Sequence, residues 1–312
     1  MRKVFFVSRA FPWDRVIYPG SGPPFAEAYG WPVRRVDELD ATPCDAAIVE
    51  NRLDAADVAH LDRFLARPAD RRPPLLFKWS DPEMPHSRDA GVRFLLGKAD
   101  HPGVHFLSVY DPAGPLRDLA AGLRRSRVLR APFPYDARRE VDVPLEDRSR
   151  RLFLAGKHDA RLYPARGRWV RRRRLDPVAR LLVARLPHPG YPDLGRPARH
   201  DVLGPRFVPY AARHTHFFVD GSRHGVELMK YVECAYAGCV PLGDVPGSLA
   251  AVVGDDLVRA PSGVLALLAA LRRPLDELRD VAARYRAALR TARDPARLDA
   301  ALDAALADLP RA

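Results

Sequence analysis

The chain has 312 residues, of which 47% are hydrophobic and 29% charged. This composition excludes extended disorder, and the length allows two domains of ordinary size. The formal net charge of +12 at pH 7 predicts attraction to anions, whether nucleoside diphosphates, anionic membrane surfaces or nucleic acid. The longest apolar run, residues 264–271, is far shorter than the roughly 20 residues of a membrane-spanning helix.

The cysteines and the N-terminal segment indicate the cellular compartment of the protein. Cys44, Cys234 and Cys239 are odd in number and lack metal-ligand spacing, so neither a disulfide framework nor a zinc site is expected. The apolar stretch at residues 4–7 is too short for the core of a signal peptide and predicts a first strand instead. Together these features favour a cytoplasmic protein.

The first half of the chain alternates short apolar runs with amphipathic segments. Residues 55–65 and 116–123 have apolar positions at helical spacing. The apolar runs predict buried parallel strands at residues 4–7, 46–49, 75–77, 104–109 and 128–129. Alternation of this kind is typical of an open α/β sheet.

The pattern stops between residues 131 and 150, where three prolines lie among charged residues, as in an interdomain connection. A second series then follows, with strands predicted at residues 152–155, 215–219, 240–242 and 257–259. The last 50 residues have leucines spaced for one-sided helical burial. The predicted organisation is one domain over 1–135, a second over 151–290, and a C-terminal helix over 291–312.

Residues 216–244 form the most informative segment: a strand, a glycine-containing loop, a helix and a second strand. The loop leaves backbone N–H groups free near a helix N-terminus, where a phosphate is favoured. Lys230 and Glu233 lie three residues apart on that helix, so their side chains reach the same region. An ammonium suits a diphosphate and a carboxylate suits ribose hydroxyls; the alternative is an exposed surface ion pair.

The segment from Lys230 to Pro241 resembles the signature helix of GT-B glycosyltransferases of the group 1 superfamily. Its Ala-Gly-Cys-Val-Pro end is also similar to exostosin-like enzymes and fucosyltransferases. The resemblance implies that Glu233 holds the donor ribose and that Lys230 lies near the diphosphate. Gly225 stands where many relatives have an earlier glutamate, so the resemblance does not extend to a retaining mechanism.

A second resemblance covers residues 152–157 and 163–166, which look like the start of the C-terminal domain in spore-maturation, CgeB-like glycosyltransferases. It places Gly156 where a donor approaches the backbone, with Lys157 or Arg166 pairing with phosphate oxygens. The alternative for Arg166 is a solvated helix face. The complete set of candidate donor-binding residues is Gly156, Lys157, Arg166, Tyr210, Arg223, His224, Lys230 and Glu233.

In GT-B enzymes the N-terminal domain holds the acceptor. The loops at residues 9–22, 78–86 and 111–114 are therefore the candidate acceptor-binding segments. We expect Trp79 to offer an aromatic platform for a sugar or another flat acceptor. An inverting reaction needs a general base, for which Asp81, His86 and Asp14 are the candidates. The alternative for each of these three is a loop residue that caps a helix or turn.

These observations predict an α/β protein with two Rossmann-like domains facing a cleft, the GT-B architecture. Its predicted activity is sugar transfer from a nucleotide sugar, with no cofactor and no metal ion. One alternative is a nucleotide-sugar enzyme that transfers nothing, such as an epimerase of the same fold. The other is a nucleic-acid-binding protein that uses arginines 166–174, although no recognised motif supports a nucleic-acid partner. Peripheral contact with an anionic membrane surface is the further partner that the charge allows.

Overall fold

The computed structural model describes residues 1–11, 22–79, 89–111, 117–190 and 197–309. The chain divides into two compact units, residues 1–134 with 295–312 (unit 1) and residues 135–294 (unit 2). The boundary lies in the proline-containing stretch, where residues 131–148 contain only two short 3₁₀ turns, Ala137–Arg139 and Leu145–Asp147. Within the described ranges, no helix is both long and apolar enough to cross a membrane.

Unit 1 is built on a six-stranded parallel sheet. Its strands are β1 (Lys3–Val7), β2 (Val33–Arg35), β3 (Ala46–Val49), β4 (Leu75–Trp79), β5 (Val104–Ser108) and β6 (Val128–Arg130), in the order β2-β1-β3-β4-β5-β6. Its first helices are α1 (Pro23–Tyr29), α2 (Ala55–Leu65), α3 (Ala90–Gly97) and α4 (Arg117–Gly122). Every residue of β1, β3, β4 and β5 is buried, because helices cover both faces of a parallel sheet. All five strands predicted for this half are confirmed.

Unit 2 contains a four-stranded parallel sheet in the order β10-β9-β7-β8. The strands are β7 (Ser149–Gly156), β8 (Val183–Pro187), β9 (His214–Val219) and β10 (Val240–Gly243). The helices are α5 (Pro164–Leu175), α6 (Pro177–Leu182), α7 (Phe207–Ala211), α8 (Met229–Tyr236), α9 (Gly247–Leu257), α10 (Val264–Arg272) and α11 (Leu275–Ala292). The predicted strand at 257–259 is wrong: Leu257 ends α9, and the following backbone contributes one hydrogen bond, from Gly243 N to Arg259 O.

The two faces of the sheet in unit 2 pack against different sets of hydrophobic side chains. Leu152 and Leu154 of β7 pack with Trp169 of α5 and with Leu267 and Leu271 of α10. The intervening residue of β7 points the other way, because side chains alternate along a strand. That face is aromatic, with contacts among Phe153, Phe207, Tyr210 and Phe217.

The last helix, α12 (Pro295–Ala307), belongs to unit 1. The ammonium group of Lys3, on a side chain only 1% exposed, lies 2.5 Å from Asp303 and 3.0 Å from Asp299. Trp31 Nε1 donates a hydrogen bond of 2.7 Å to Asp299. The chain therefore returns to its first unit after completing the second.

Candidate functional site

The candidate site in unit 2 lies at the carboxyl ends of its parallel strands. From β7 the chain passes to β8 on one side, and it later enters β9 on the other side. Ligands of open α/β sheets bind in the crevice at such a reversal of strand order. In this unit the crevice is flanked by Gly156, which ends β7, and by Asp220, which follows β9.

Gly156 allows two cationic side chains to approach the end of β7. Its φ of +95° is unfavourable for residues with a side chain. A Cβ atom there would lie 3.2 Å from Arg166 Nη1 and 3.3 Å from Lys230 Cε. The sequence-based candidates Gly156, Arg166 and Lys230 therefore do come together.

Arg166 connects the ends of the two central strands. It is 3% exposed, so its alternative interpretation as part of a solvated helix face is wrong. Its guanidinium donates hydrogen bonds to Asp220 Oδ1 and, at 2.9 Å, to the carbonyl oxygen of Lys157, and it lies 4.3 Å from the ring centroid of Tyr163. Asp220 is itself 1% exposed. This buried contact joins α5 to the end of β9.

The loop after β9 is a compact turn. Val226 N donates to Gly221 O at 2.7 Å, while Ser222 and Gly225 have φ values of +59° and +61°. Arg223 is exposed, and its Nε lies 3.2 Å from Nε2 of the half-buried His224. The helix α8 begins only at Met229, and Leu228 at its N-cap makes no side-chain capping hydrogen bond. No side chain at that position therefore satisfies the first-turn N–H groups.

Lys230 and Glu233 form a largely buried ion pair near the start of α8. Lys230 Nζ lies 3.3 Å from Glu233 Oε2, and the two side chains are 16% and 8% exposed. The ammonium also lies 4.6 Å from the ring centroid of Phe207. The alternative interpretation, an exposed surface pair, does not fit this burial.

His188, just after β8, lies near several cations at this edge of the sheet. Burial, followed by the nearby charges of Lys230, Lys157 and Arg199, lowers the pKa of His188 to about 4. Its imidazole is therefore neutral at pH 7, chiefly because burial disfavours the charged form, and the nearby cations add to that effect. An anionic group placed at this edge would reduce that repulsion.

Two other candidate residues occupy different positions. Lys157 is exposed directly after β7, beside the site. Tyr210 lies away from the site: its ring packs against Phe153 and against His214, the first residue of β9, at the opposite end of that strand. Phe207, rather than Tyr210, supplies the aromatic contact to Lys230.

Unit 1 also has a lysine and a glutamate at its strand ends. Lys78 Nζ of β4 lies 3.4 Å from Glu50 Oε2 just after β3, and each side chain is 1% exposed. Glu50 also accepts N–H groups of Gly22 and Asn51, each at 3.0 Å. Burial lowers the pKa of Lys78, although Glu50 opposes the shift. This pair is enclosed by protein.

The predicted acceptor platform is wrong. Trp79 is 1% exposed and packs edge-on against Phe106, with 5.6 Å between ring centroids, so no acceptor stacks on it in this structure. Asp14, Asp81 and His86 lie outside the described residues. Their predicted role as a general base stays a prediction.

Sequence reasoning missed three residues of the site in unit 2. Asp220 and His188 each follow a strand, and strand ends of a parallel sheet are where such side chains collect. Because β9 was predicted, its end could have identified Asp220 as a site residue. The strand β8, which ends just before His188, was not predicted, so His188 could not be found in this way. Phe207 left no comparable signal.

Solved structures of similar fold have low sequence identity to this chain. T4 phage β-glucosyltransferase is 11% identical, with a TM-score of 0.61 over 97% of this chain and 99% of that chain. An α-glucosyltransferase in complex with UDP-glucose and DNA containing an abasic site is 9% identical, with a TM-score of 0.65 over 99% and 100%. HepE from Anabaena, in complex with UDP and glucose, is 14% identical, with a TM-score of 0.52 over 99% and 100%.

No family model matches the sequence, and no curated protein matches it. The shared architecture is therefore carried by the tertiary structure: two units, each with a parallel sheet, over nearly the full length of both chains. This chain has the α/β fold of the GT-B glycosyltransferases.

Proposed function

We propose that this protein is a glycosyltransferase that takes a sugar from a nucleotide-sugar donor bound in unit 2. The observation that carries the proposal is the convergence of Lys230 and Arg166 on Gly156, beside the reversal of strand order. Two of the similar structures contain UDP-glucose or UDP with glucose, which supports a uridine nucleotide as the donor to test first. The more specific resemblance to CgeB-like enzymes stays a prediction.

Each residue of the site has a proposed role. Lys230 pairs with a phosphate of the donor, and Glu233 accepts hydrogen bonds from the ribose hydroxyls. Lys157 reaches the outer phosphate oxygens, with Arg223 and His224 near the same anion. Arg166 acts as a positioning residue, because its guanidinium is already committed to Asp220 and to the backbone of residue 157. Gly156 lets the donor approach the backbone.

The chemistry that follows is stabilisation of a leaving diphosphate. As the glycosidic bond to the diphosphate breaks, negative charge grows on its oxygens, and preorganised cations stabilise that charge. Lys230 and Lys157 supply such charge, and both add to the lowering of the His188 pKa, for which burial is the largest cause. We propose that these side chains make a bound metal ion unnecessary.

If the reaction is inverting, a general base must deprotonate the acceptor hydroxyl. The proposed candidates for this base are Asp14, Asp81 and His86. Replacing the true base is expected to reduce kcat by about 10²- to 10⁴-fold while donor affinity is unchanged. Single variants Asp14→Asn, Asp81→Asn and His86→Gln separate the three. A kcat equal to that of the parent protein in all three variants would reject all three candidates.

The donor site is tested by calorimetric titration of UDP, GDP and dTDP into the protein and into Lys230→Ala and Glu233→Ala. We expect one nucleotide to bind selectively, and each substitution to weaken it about tenfold or more, as loss of a charge-assisted hydrogen bond predicts. Arg63→Ala, at an exposed position on α2, is the control and should bind normally. Unchanged binding in both site variants would reject the site.

Product analysis separates transfer from the alternatives. A transferase releases a nucleoside diphosphate as its sugar appears on an acceptor, whereas an epimerase returns an altered nucleotide sugar. Incubation with UDP-glucose and candidate small-molecule, glycan and protein acceptors, followed by mass spectrometry, distinguishes these outcomes. Preferential stabilisation by oligonucleotide over every nucleotide diphosphate would instead favour a nucleic-acid-binding protein.

A further inference from the structure

Four large hydrophobic side chains are exposed in one region of unit 2. Leu175 at the end of α5, Val178 and Leu181 of α6, and Leu265 of α10 are 69%, 47%, 73% and 83% exposed. The helices that carry them are neighbours, since α6 contacts both α5 and α10. Elsewhere in the described residues, Met1 alone among large hydrophobic residues is exposed to a similar extent. Exposed aliphatic side chains on neighbouring helices indicate an interaction surface.

The same region is strongly basic. Helices α5, α6 and α10 contain no aspartate or glutamate. The nearest carboxylate in sequence, Asp176 between α5 and α6, is occupied as a helix cap that accepts N–H groups of Val178 and Ala179 at 2.8 and 3.1 Å. The exposed arginines of α5 and α6 are Arg168, Arg171, Arg172, Arg174 and Arg180. We call these arginines and the four exposed hydrophobic residues the basic-aliphatic face.

Helical spacing places three exposed arginines and one exposed leucine on one side of α5. Arg168, Arg171, Arg172 and Leu175 follow the i, i+3, i+4, i+7 pattern, so they share one face of α5. Ala165 and Trp169, which are buried in the core, lie on the adjacent side of the helix, next to Arg168 and Arg172. The arginines and the exposed leucine of α5 therefore form one exposed stripe that borders the buried side of the helix.

A cavity adjoins this face. It has a volume of about 270 Å³, and its lining includes Arg168 and Arg172 of α5, together with Trp169, Asp244 and Ser262. Arg172 Nη1 lies 3.4 Å from the carbonyl oxygen of Ser262, just before α10. Two guanidinium groups and one carboxylate thus line a recess that adjoins the exposed arginines of α5, with room for a phosphate-sized group.

We propose that the basic-aliphatic face docks on a lipid bilayer containing anionic phospholipids. The leucines would enter the boundary between headgroups and acyl chains while the arginines pair with lipid phosphates, with Arg168 and Arg172 receiving one headgroup in the cavity. Nucleic acid fits the face less well, because single-strand binding uses aromatic platforms and the exposed side chains here are aliphatic. Docking does not depend on the proposed transferase activity, because it uses none of the donor-site residues.

The proposal is tested by co-sedimentation of the full chain with two kinds of vesicle, phosphatidylcholine alone and phosphatidylcholine mixed with phosphatidylglycerol. Binding is expected only to the mixed vesicles and should weaken as salt is added. The variant carrying Leu175→Ser, Leu181→Ser and Leu265→Ser should bind at least about 100-fold more weakly, because three leucines no longer enter the bilayer. The side chains are exposed, so the melting temperature should stay near that of the parent protein.

A matched pair of charge variants separates this face from the overall charge. Arg171→Ser with Arg174→Ser should weaken vesicle binding roughly 30-fold, from about 1 kcal/mol for each arginine at an anionic surface. Arg63→Ser with Arg93→Ser removes the same charge from exposed positions in unit 1 and should have little effect. Equal weakening by both pairs would overturn the proposal, because binding would then follow net charge alone.

Other occupants of the face give different results. A second copy of the chain would appear as a dimer in sedimentation velocity that the triple leucine variant dissociates, without vesicle binding. A nucleic acid would bind the parent and the leucine variant equally, again without vesicle binding. Either result overturns membrane docking, whatever the outcome of the nucleotide titrations.

Discussion

Both units place a lysine and a glutamate at the carboxyl ends of parallel strands, yet the two pairs differ in burial. Lys78 and Glu50 of unit 1 are each 1% exposed, and backbone N–H groups also donate to the glutamate. Lys230 and Glu233 of unit 2 are 16% and 8% exposed, beside a glycine and within a field of other cations. The fully enclosed pair has the properties of a structural element, and the less enclosed pair is the one proposed to bind the donor.

The largest expected effect is that of Lys78→Met on stability. The substitution leaves Glu50 buried without its cation, which costs about 3 to 5 kcal/mol in the free energy of unfolding. Urea unfolding of the parent and the variant measures the change. The double variant Lys78→Met with Glu50→Leu should recover part of the loss, since no charge then stays buried. A single variant as stable as the parent would show that the pair does not stabilise unit 1.

Acidification should destabilise unit 2 more than unit 1. Burial lowers the pKa of His105 in unit 1 to about 4. In unit 2 it lowers the pKa of His214 to about 4 and that of His216 to about 3, and burial with nearby cations lowers that of His188 to about 4. The unfolded chain therefore binds more protons below its histidine pKa of about 6.5, and stability is lost as pH falls from there towards 4.

At pH 5 His105, His214 and His216 each cost about 2 kcal/mol, and the half-buried His188 adds a smaller cost in unit 2. Unit 2 should therefore lose at least about 2 kcal/mol more than unit 1. Amide hydrogen exchange at pH 7 and pH 5, corrected for intrinsic rates, measures the two units separately. His216→Asn should reduce the pH dependence of unit 2 alone. Equal losses in the two units would contradict the assigned shifts.

The smallest expected effect is that of Lys230→Met on stability, the same substitution made in the less enclosed pair. We expect a change of about 1 kcal/mol, because the variant leaves the mostly buried Glu233 without its cation but also removes one of the cations that act on His188 at this edge. The same urea titration as for Lys78→Met gives the comparison directly. A loss as large as that of Lys78→Met would mean that both pairs are structural.

The central strands could be predicted from sequence, and the edge strands only in part. β1, β3, β4 and β5 are continuous apolar runs because both faces of the sheet are covered. β2 has two exposed arginines among its three residues, so its composition carries no strand signal. β8 contains Arg185 and ends in proline, which hides another edge strand.

The sequence by itself determined the two series of strands and helices, the basic character of the chain, and the placement of Lys230 and Glu233 one helical turn apart. These features depend on periodicity and on neighbours in the chain, which the order of residues specifies. Only the tertiary structure decided that Arg166 contacts Asp220, 54 residues away, and that Trp79 is buried against Phe106. It also decided which lysine–glutamate pair is enclosed, because burial depends on which distant segments pack over a side chain.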